Sequence, residues 1–258
     1  MTSWAVEVSV LHDTVVPLRS GLIHTSIIRM TETIRGGAGD TWKAAGMVFD
    51  AFLEDPLNVY LRAVTIRGQK PSRTLYQIIS TSFLRLWMQT KWVLTVDSGT
   101  AIIVATPPES CSKNPIDAIT NLLSTLLTAA VKNIAVKESR KRNKEFARKS
   151  EKVISETLGD RVREMAYVNL LATDPHHQGR GYGGALLESI TRIADASGEA
   201  LWLQSSNTNN TSFYMSHGFR IVGEVCLGDS NSKWNDKPII VPIMVREPTS
   251  RFETEKAP

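Results

Sequence analysis

The tightest constraint on this chain is a glycine-rich stretch at 178–184, Gln-Gly-Arg-Gly-Tyr-Gly-Gly. An apolar run at 165–173 precedes it, separated by the polar turn Asp174-Pro175-His176-His177. Beyond it, Leu186, Ile190 and Ile193 recur at helical spacing, with Leu187 and Ala194 beside them. Gly198 is the expected stop, and a second apolar run at 200–203 completes a strand–turn–helix–strand unit. Glycines let main-chain N–H groups approach a ligand without Cβ interference. A helix N-terminus adds unpaired donors and a partial positive charge. The residues alone therefore predict a phosphate- or pyrophosphate-bearing ligand at 178–184.

Three known loops bear on that prediction. Gly179-x-Gly181-x-x-Gly184 satisfies the dinucleotide fingerprint in letters, but the next strand ends Leu203-Gln204-Ser205-Ser206, without the acidic residue a ribose needs. A nucleotide P-loop requires Gly-Lys-Ser/Thr, which is absent here. A kinase glycine loop joins two strands, whereas here a helix follows. Gln178-x-x-Gly181-x-Gly183, after Pro175 and a strand, resembles motif A of the GNAT acetyltransferases. Asn207, Tyr214, Gly218 and Phe219 are spaced as in that family's next helix and strand start. The resemblance is strong over about 165–226 and weaker back to about residue 23, and is closest to fungal-type small-amine-acetylating homologues.

The resemblance implies an α/β (α+β) GNAT fold: a mixed, mostly antiparallel central sheet with splayed parallel strands 4 and 5 and helices on both faces. It implies one domain over 1–258, with core segments at about 21–108 and 163–247 and a helical basic insertion at about 109–162. Acetyl-CoA is the implied co-substrate, and no metal is implied. The main chain of Leu171, Ala172 and Thr173 would bind the pantetheine and polarise the thioester. Gln178, Gly179, Arg180, Gly181, Tyr182, Gly183 and Gly184 would hold the pyrophosphate. Arg180 would add a charge-assisted contact, or else stand in solvent. Asn207, or alternatively Asn209 or Asn210, would bond the pantetheine arm, and Tyr214 would protonate the leaving thiolate.

The implied activity is transfer of acetyl to a primary amine of a small molecule by direct attack on the thioester. Two alternatives stay open: a protein or peptide acetyltransferase, and a non-catalytic acyl-CoA-binding module. The general base is not identified. Glu54, Asp55, Glu224 and Asp229 are equal candidates, and a water chain would serve as well. His176 and His177 are read as turn caps or solvent-facing groups.

The remaining segments are read from pattern. A strand is expected at 21–30, and an added one at 4–11. Asp40 is a candidate N-cap for a helix at 41–53, with Ala44, Val48, Ala51 and Phe52 on its apolar face, and Asp55-Pro56 restarts the chain. Another helix is expected at 72–89, with Leu75, Ile78, Ile79, Phe83 and Leu86 on one face. Runs at 92–96 and 101–105 around Asp97-Ser98-Gly99-Thr100 form a hairpin. A helix at 116–136 leads into a basic run at 137–152. That run is read first as a solvated helix with a thin apolar stripe of Phe146, Val153 and Ile154. A nucleic-acid patch or nuclear signal is the second reading, disfavoured because no aromatics interleave with the charges. Strands at 220–226 and 239–245 follow. Pro242 forces an edge or a bulge on the last of them, and 247–258 reads as a frayed tail.

Composition narrows the class. With 258 residues and 42% hydrophobic content, one sizeable core is expected. The net charge of +4 agrees with an anionic ligand. Cys111 and Cys226 stand apart without metal spacing, so free thiols are expected. No apolar run is long enough to span a bilayer. The expected setting is cytoplasmic, as monomer or homodimer, with acetyl-CoA and an amine as partners and neither membrane nor nucleic acid among them.

Overall fold

The computed structural model describes residues 32–33, 38–62, 72–109, 115–134 and 136–249. The strands expected at 4–11 and 21–30, Cys111 and the last nine residues lie outside them. The strands are β1 (Glu32–Thr33), β2 (Trp92–Val96), β3 (Ala101–Thr106), β4 (Ala166–Thr173), β5 (Leu201–Gln204), β6 (Arg220–Leu227) and β7 (Ile239–Arg246). The helices are α1 (Ala38–Ala51), α2 (Pro56–Arg62), α3 (Arg73–Trp87), α4 (Pro115–Ile134), α5 (Lys137–Thr157), α6 (Tyr182–Ser197) and α7 (Thr211–Ser216). The strands form one sheet in the order β1-β2-β3-β4-β5-β7-β6. Every neighbouring pair is antiparallel except β4 and β5.

Alternation in the strands divides the core between the two faces of this sheet. Ala101, Ile103, Ala105, Leu201 and Leu203 pack against Leu186, Leu187, Ile190 and Ala194 of α6. On the opposite face, Ile102, Val104, Leu170 and Ala172 meet α1 and α3. Further along that face, Trp202, Val241, Ile243 and Val245 meet α2 and α5 through Tyr60, Leu61, Phe146 and Ile154. Leu186, Leu187 and Ile190 are fully buried, and burial on that scale contributes about 2 kcal/mol per side chain.

The hairpin forms as its turn residues predict. Asp97 and Ser98 take positive φ, and Gly99 sits at φ 102°. A Cβ on Gly99 would stand 3.0 Å from the Ala44 nitrogen, so glycine there lets the turn close onto α1. Ser72 caps α3 by accepting from the Leu75 N–H.

Four expectations need correction. α1 begins at Ala38, so Asp40 lies in its first turn, a place a carboxylate suits electrostatically, rather than at the N-cap. Ile78 of α3 is 50% exposed; the buried side is Tyr76, Ile79, Phe83, Leu84 and Trp87, rotated from the face expected. β7 is internal, between β5 and β6, rather than an edge. Pro242 is tolerated because its carbonyl accepts from Ser205 N–H just past the end of β5, so its nitrogen faces a side where the ladder has finished. The irregularity sits across the ladder in β6, between Ile221 and Gly223. Finally, residues 247–249 are tied down: Glu247 pairs with Arg161 and Arg220, and Thr249 bonds Asp195.

α5 is more embedded than its composition implies. Phe146 and Ile154 are buried as expected, and Ser139, Arg142 and Ser150 are buried with them. Arg142 donates to the Tyr60 carbonyl at 2.9 Å and the Lys233 carbonyl at 3.2 Å, and pairs with Glu138 at 3.1 Å. Its guanidinium also lies against the rings of Tyr60 and Trp234, which meet edge to face.

Candidate active site at the splay of β4 and β5

β4 and β5 are paired only from Ala166↔Leu201 to Val168↔Leu203. Beyond Val168, β4 runs on to Thr173 with β3 alone. The side of β4 facing away from β3 is therefore an unpaired strand edge inside the molecule.

An extra residue fixes which main-chain groups line that edge. Ala105 pairs with Val168 and Val104 with Leu170, so Asn169 is a bulge. Its buried side chain is pinned by Thr106, whose hydroxyl donates to Asn169 Oδ1 at 2.6 Å. Ala166 N–H donates to Ala200, on the β5 side, whereas Asp174 N–H donates to Thr100, on the β3 side. By alternation back from Asp174, Leu171 and Thr173 turn their N–H and C=O groups to the open edge, and Ala172 turns its own to β3. The Thr173 carbonyl accepts from Gln178 Nε2 at 3.4 Å.

At the end of this edge the chain makes the glycine turn. Asp174 accepts from His176 N–H at 2.8 Å and starts a short 3-10 turn, Pro175–His177. Gly181 then caps α6 in the left-handed region at φ 81°, and Gly179 sits at φ 76°. A Cβ on either would meet nothing within 4 Å, so both glycines border open space. Among the described residues, the N–H groups of Gly181, Tyr182, Gly183 and Gly184 have no hydrogen-bond acceptor. That is the expected condition of a first helical turn and gives it anion-binding capacity.

A cavity of about 410 Å³ joins the strand edge to this turn. Leu171, Ala172, Thr173, Gln178, Gly179, Gly181, Tyr182, Gly183, Gly184 and Tyr214 all line it. Arg180 does not; it is exposed. Asn207 does not either, because its side chain accepts from Asn209 N–H at 3.0 Å and caps the turn at Thr208–Asn210. Asn210, one of the alternatives to Asn207, lines the cavity. Tyr214 lies on α7 opposite β4, part-buried and edge-on to Phe213 (5.2 Å) and Phe219 (5.9 Å).

Two lining residues were missed from sequence. Phe213 was hidden beside Tyr214, yet its ring is 3.7 Å from the place a Gly183 Cβ would occupy. His177 was assigned to the turn; it does lie 3.5 Å from Asp174, and it also faces the cavity.

The carboxylates are now distinguishable. Glu54 and Glu224 are exposed, and Asp229 pairs with Lys149 at 2.5 Å. Asp55 is buried between α1 and α2. Its Oδ1 accepts from Asn58 N–H at 2.9 Å and Nδ2 at 3.0 Å, and its Oδ2 accepts from Ser206 Oγ at 2.7 Å. Burial pushes its pKa up, against the pull of those hydrogen bonds and of Arg62. Ser206 lies two residues past the end of β5, so this bond ties the start of α2 to that end of the strand, and Asp55 does not line the cavity. Among the described residues, no cluster of His, Cys, Asp or Glu could hold a metal ion.

The splayed sheet and its flanking helices share the fold of solved N-acetyltransferases. Residues 142–221 match the family model described as Acetyltransferase (GNAT) domain. An uncharacterised N-acetyltransferase of Schizosaccharomyces pombe is 28% identical over 226 residues, covering 85% of each chain. Arylalkylamine N-acetyltransferase 2 from Aedes aegypti superposes with a TM-score of 0.55 at 16% identity, covering 85% of this chain and 98% of that one. An agmatine N-acetyltransferase gives 0.51 at 15% identity, covering 84% and 98%. The match of 142–221 to a GNAT acetyltransferase domain and the N-acetyltransferase relative together support an acyltransferase enzyme.

Proposed function

We propose that the chain transfers acetyl from acetyl-CoA to a primary amine of a small molecule. The observation that carries this reading is the single cavity shared by the free edge of β4, the glycine-capped start of α6 and Tyr214. The diphosphate of the co-substrate suits the unpaired amides of 181–184, where Gly179 and Gly181 leave room for it. Its extended arm suits the β4 edge, which offers main-chain groups as a neighbouring strand would.

The chemistry follows from what these groups can do. The neutral amine attacks the thioester carbon, forming the C–N bond, while the carbonyl electrons move to oxygen. Leu171 N–H, on the open edge, is a preorganised donor for that oxyanion, an interaction whose loss costs about 3 kcal/mol. Collapse breaks the C–S bond, and Tyr214 gives its phenol proton to the thiolate, regaining one from solvent. The amine proton leaves through solvent to Asp55, which lies outside the cavity lining and whose raised pKa suits a base. The arylalkylamine and agmatine acetyltransferases whose fold this chain shares are named for small amines.

Two measurements test the reading. Calorimetric titration with acetyl-CoA should show binding, and its absence would remove the whole reading. Thiol release against a panel of arylalkylamines and polyamines, with lysine peptides beside them, should favour a small amine. Turnover confined to peptides would replace the acceptor class, and tight binding with no turnover would leave a binding module.

A further inference from the structure

The basic run of α5 changes character once its side chains are located. Glu138 and Glu145, which offset the charge in the sequence, face inward. Glu138 engages Arg142, Asn231 and Lys233, and Glu145 engages Tyr60, Lys149 and the Gly228 N–H. Left outside are Lys137, Arg140, Lys141, Lys144 and Arg148, all exposed. Their spacing sets them on one stripe of the helix. Among the described residues none of the five has an acidic partner within salt-bridge distance, and the stripe ends at Glu151.

The preceding helix is inverted. In α4, Thr120, Ser124 and Thr128 are buried, whereas Ile119, Leu122, Leu123 and Leu126 are 61%, 59%, 47% and 57% exposed. These leucines and isoleucine also share one stripe. Val136, which joins the two helices, is 52% exposed. α4 packs on α3, and α5 on β6 and α2, so both belong to the layers over the same face of the sheet.

We propose that the outer sides of α4 and α5 form a docking surface for an anionic lipid bilayer. An apolar stripe able to enter the headgroup boundary, beside a row of unpaired cations, is what an interfacial membrane helix requires. The apolar half distinguishes lipid from nucleic acid, because the one aromatic of α5, Phe146, is buried and no exposed ring on it can stack on bases. The chain would lie on the bilayer, not across it: no helix among the described residues is long and apolar enough to span one. The surface is separate from the acyl-transfer cavity on β4 and α6.

The test is co-sedimentation of the full chain with phosphatidylcholine vesicles, with and without phosphatidylserine. Binding is expected only with phosphatidylserine and should be lost at high salt. Lys141→Glu with Lys144→Glu should weaken it by about tenfold or more, since each surface cation contributes roughly 1 kcal/mol. Leu122→Gln with Leu126→Gln should weaken it without removing its salt dependence. Unchanged thermal unfolding of both variants separates lost docking from lost fold. Equal pelleting with both vesicle types, or none with either, overturns the proposal. So does salt-sensitive binding to an RNA homopolymer that the lysine variant loses while vesicles never bind.

Discussion

At the scale of single residues, the site rests on positions where one atom more or less decides the outcome. Gly181 holds φ 81° at the head of α6 and faces open space. Gly181→Ala would add about 1 kcal/mol of backbone strain and a methyl group in the cradle. The expected result is folded protein whose acetyl-CoA affinity, by calorimetry, falls by roughly tenfold or more. Tyr214→Phe keeps the ring contacts and removes the proposed acid, so turnover should drop about a hundredfold while cofactor affinity holds. Unchanged turnover would exclude Tyr214 from the mechanism. Asp55→Asn keeps the shape of the α2 cap and removes the proposed base. In the wild type, activity should fall as pH drops through the raised pKa of Asp55 and its carboxylate takes up a proton. In the variant, activity should be low throughout and lack that acidic limb. Tyr214 and the glycines were legible because their signal is local: fixed spacings within a few turns of chain. Asp55 was not, because its burial and its Ser206 partner, 151 residues away, exist only once the chain is folded.

At the scale of elements, legibility followed the hydrophobic period. α6, β4 and the β2–β3 hairpin announced themselves through apolar spacing and turn chemistry. α5 did so only in part, because its docked face is largely polar. Arg142 is buried by contacts drawn from α2, from α5 itself and from the 228–237 loop, and no periodic pattern foretells such a convergence. Arg142→Ala would leave Glu138 without its buried partner and empty the space between Tyr60 and Trp234. A loss of about 3 kcal/mol is expected in urea denaturation. Hydrogen exchange should rise in 228–237 and at the start of α5, with the glycine turn unaffected; uniform loosening would show that the network is not local.

At the scale of the whole molecule, the last strand is fastened to the helix behind the sheet. Arg246, at the end of β7, makes a two-pronged pair with Asp195 of α6 at 2.7 Å on each prong, and Thr249 N–H adds a third bond at 2.9 Å. Burial pushes the Asp195 carboxyl up, but Arg246 and Thr249 outweigh it and hold the group below its ordinary value of 3.8. A carboxyl depressed in this way contributes stability that is complete above its unfolded value and lost as pH falls through the folded one. Asp195→Asn should therefore cost about 2 kcal/mol at neutral pH. The gap to wild type should narrow as pH drops below about 3.8, and a gap that stayed constant would mean the pair contributes nothing electrostatic.

The bulge at Asn169 falls just where β4 parts from β5. Val168 already turns its main chain to the β5 side and Leu170 to β3, so deleting that one residue would leave β4 in regular alternation, with Leu171 and Thr173 still on the open edge and Ala172 still bonded to β3. A deletion of Asn169 would thus straighten the ladder with β3 while leaving the main-chain groups of Leu171 and Thr173 facing the fissure.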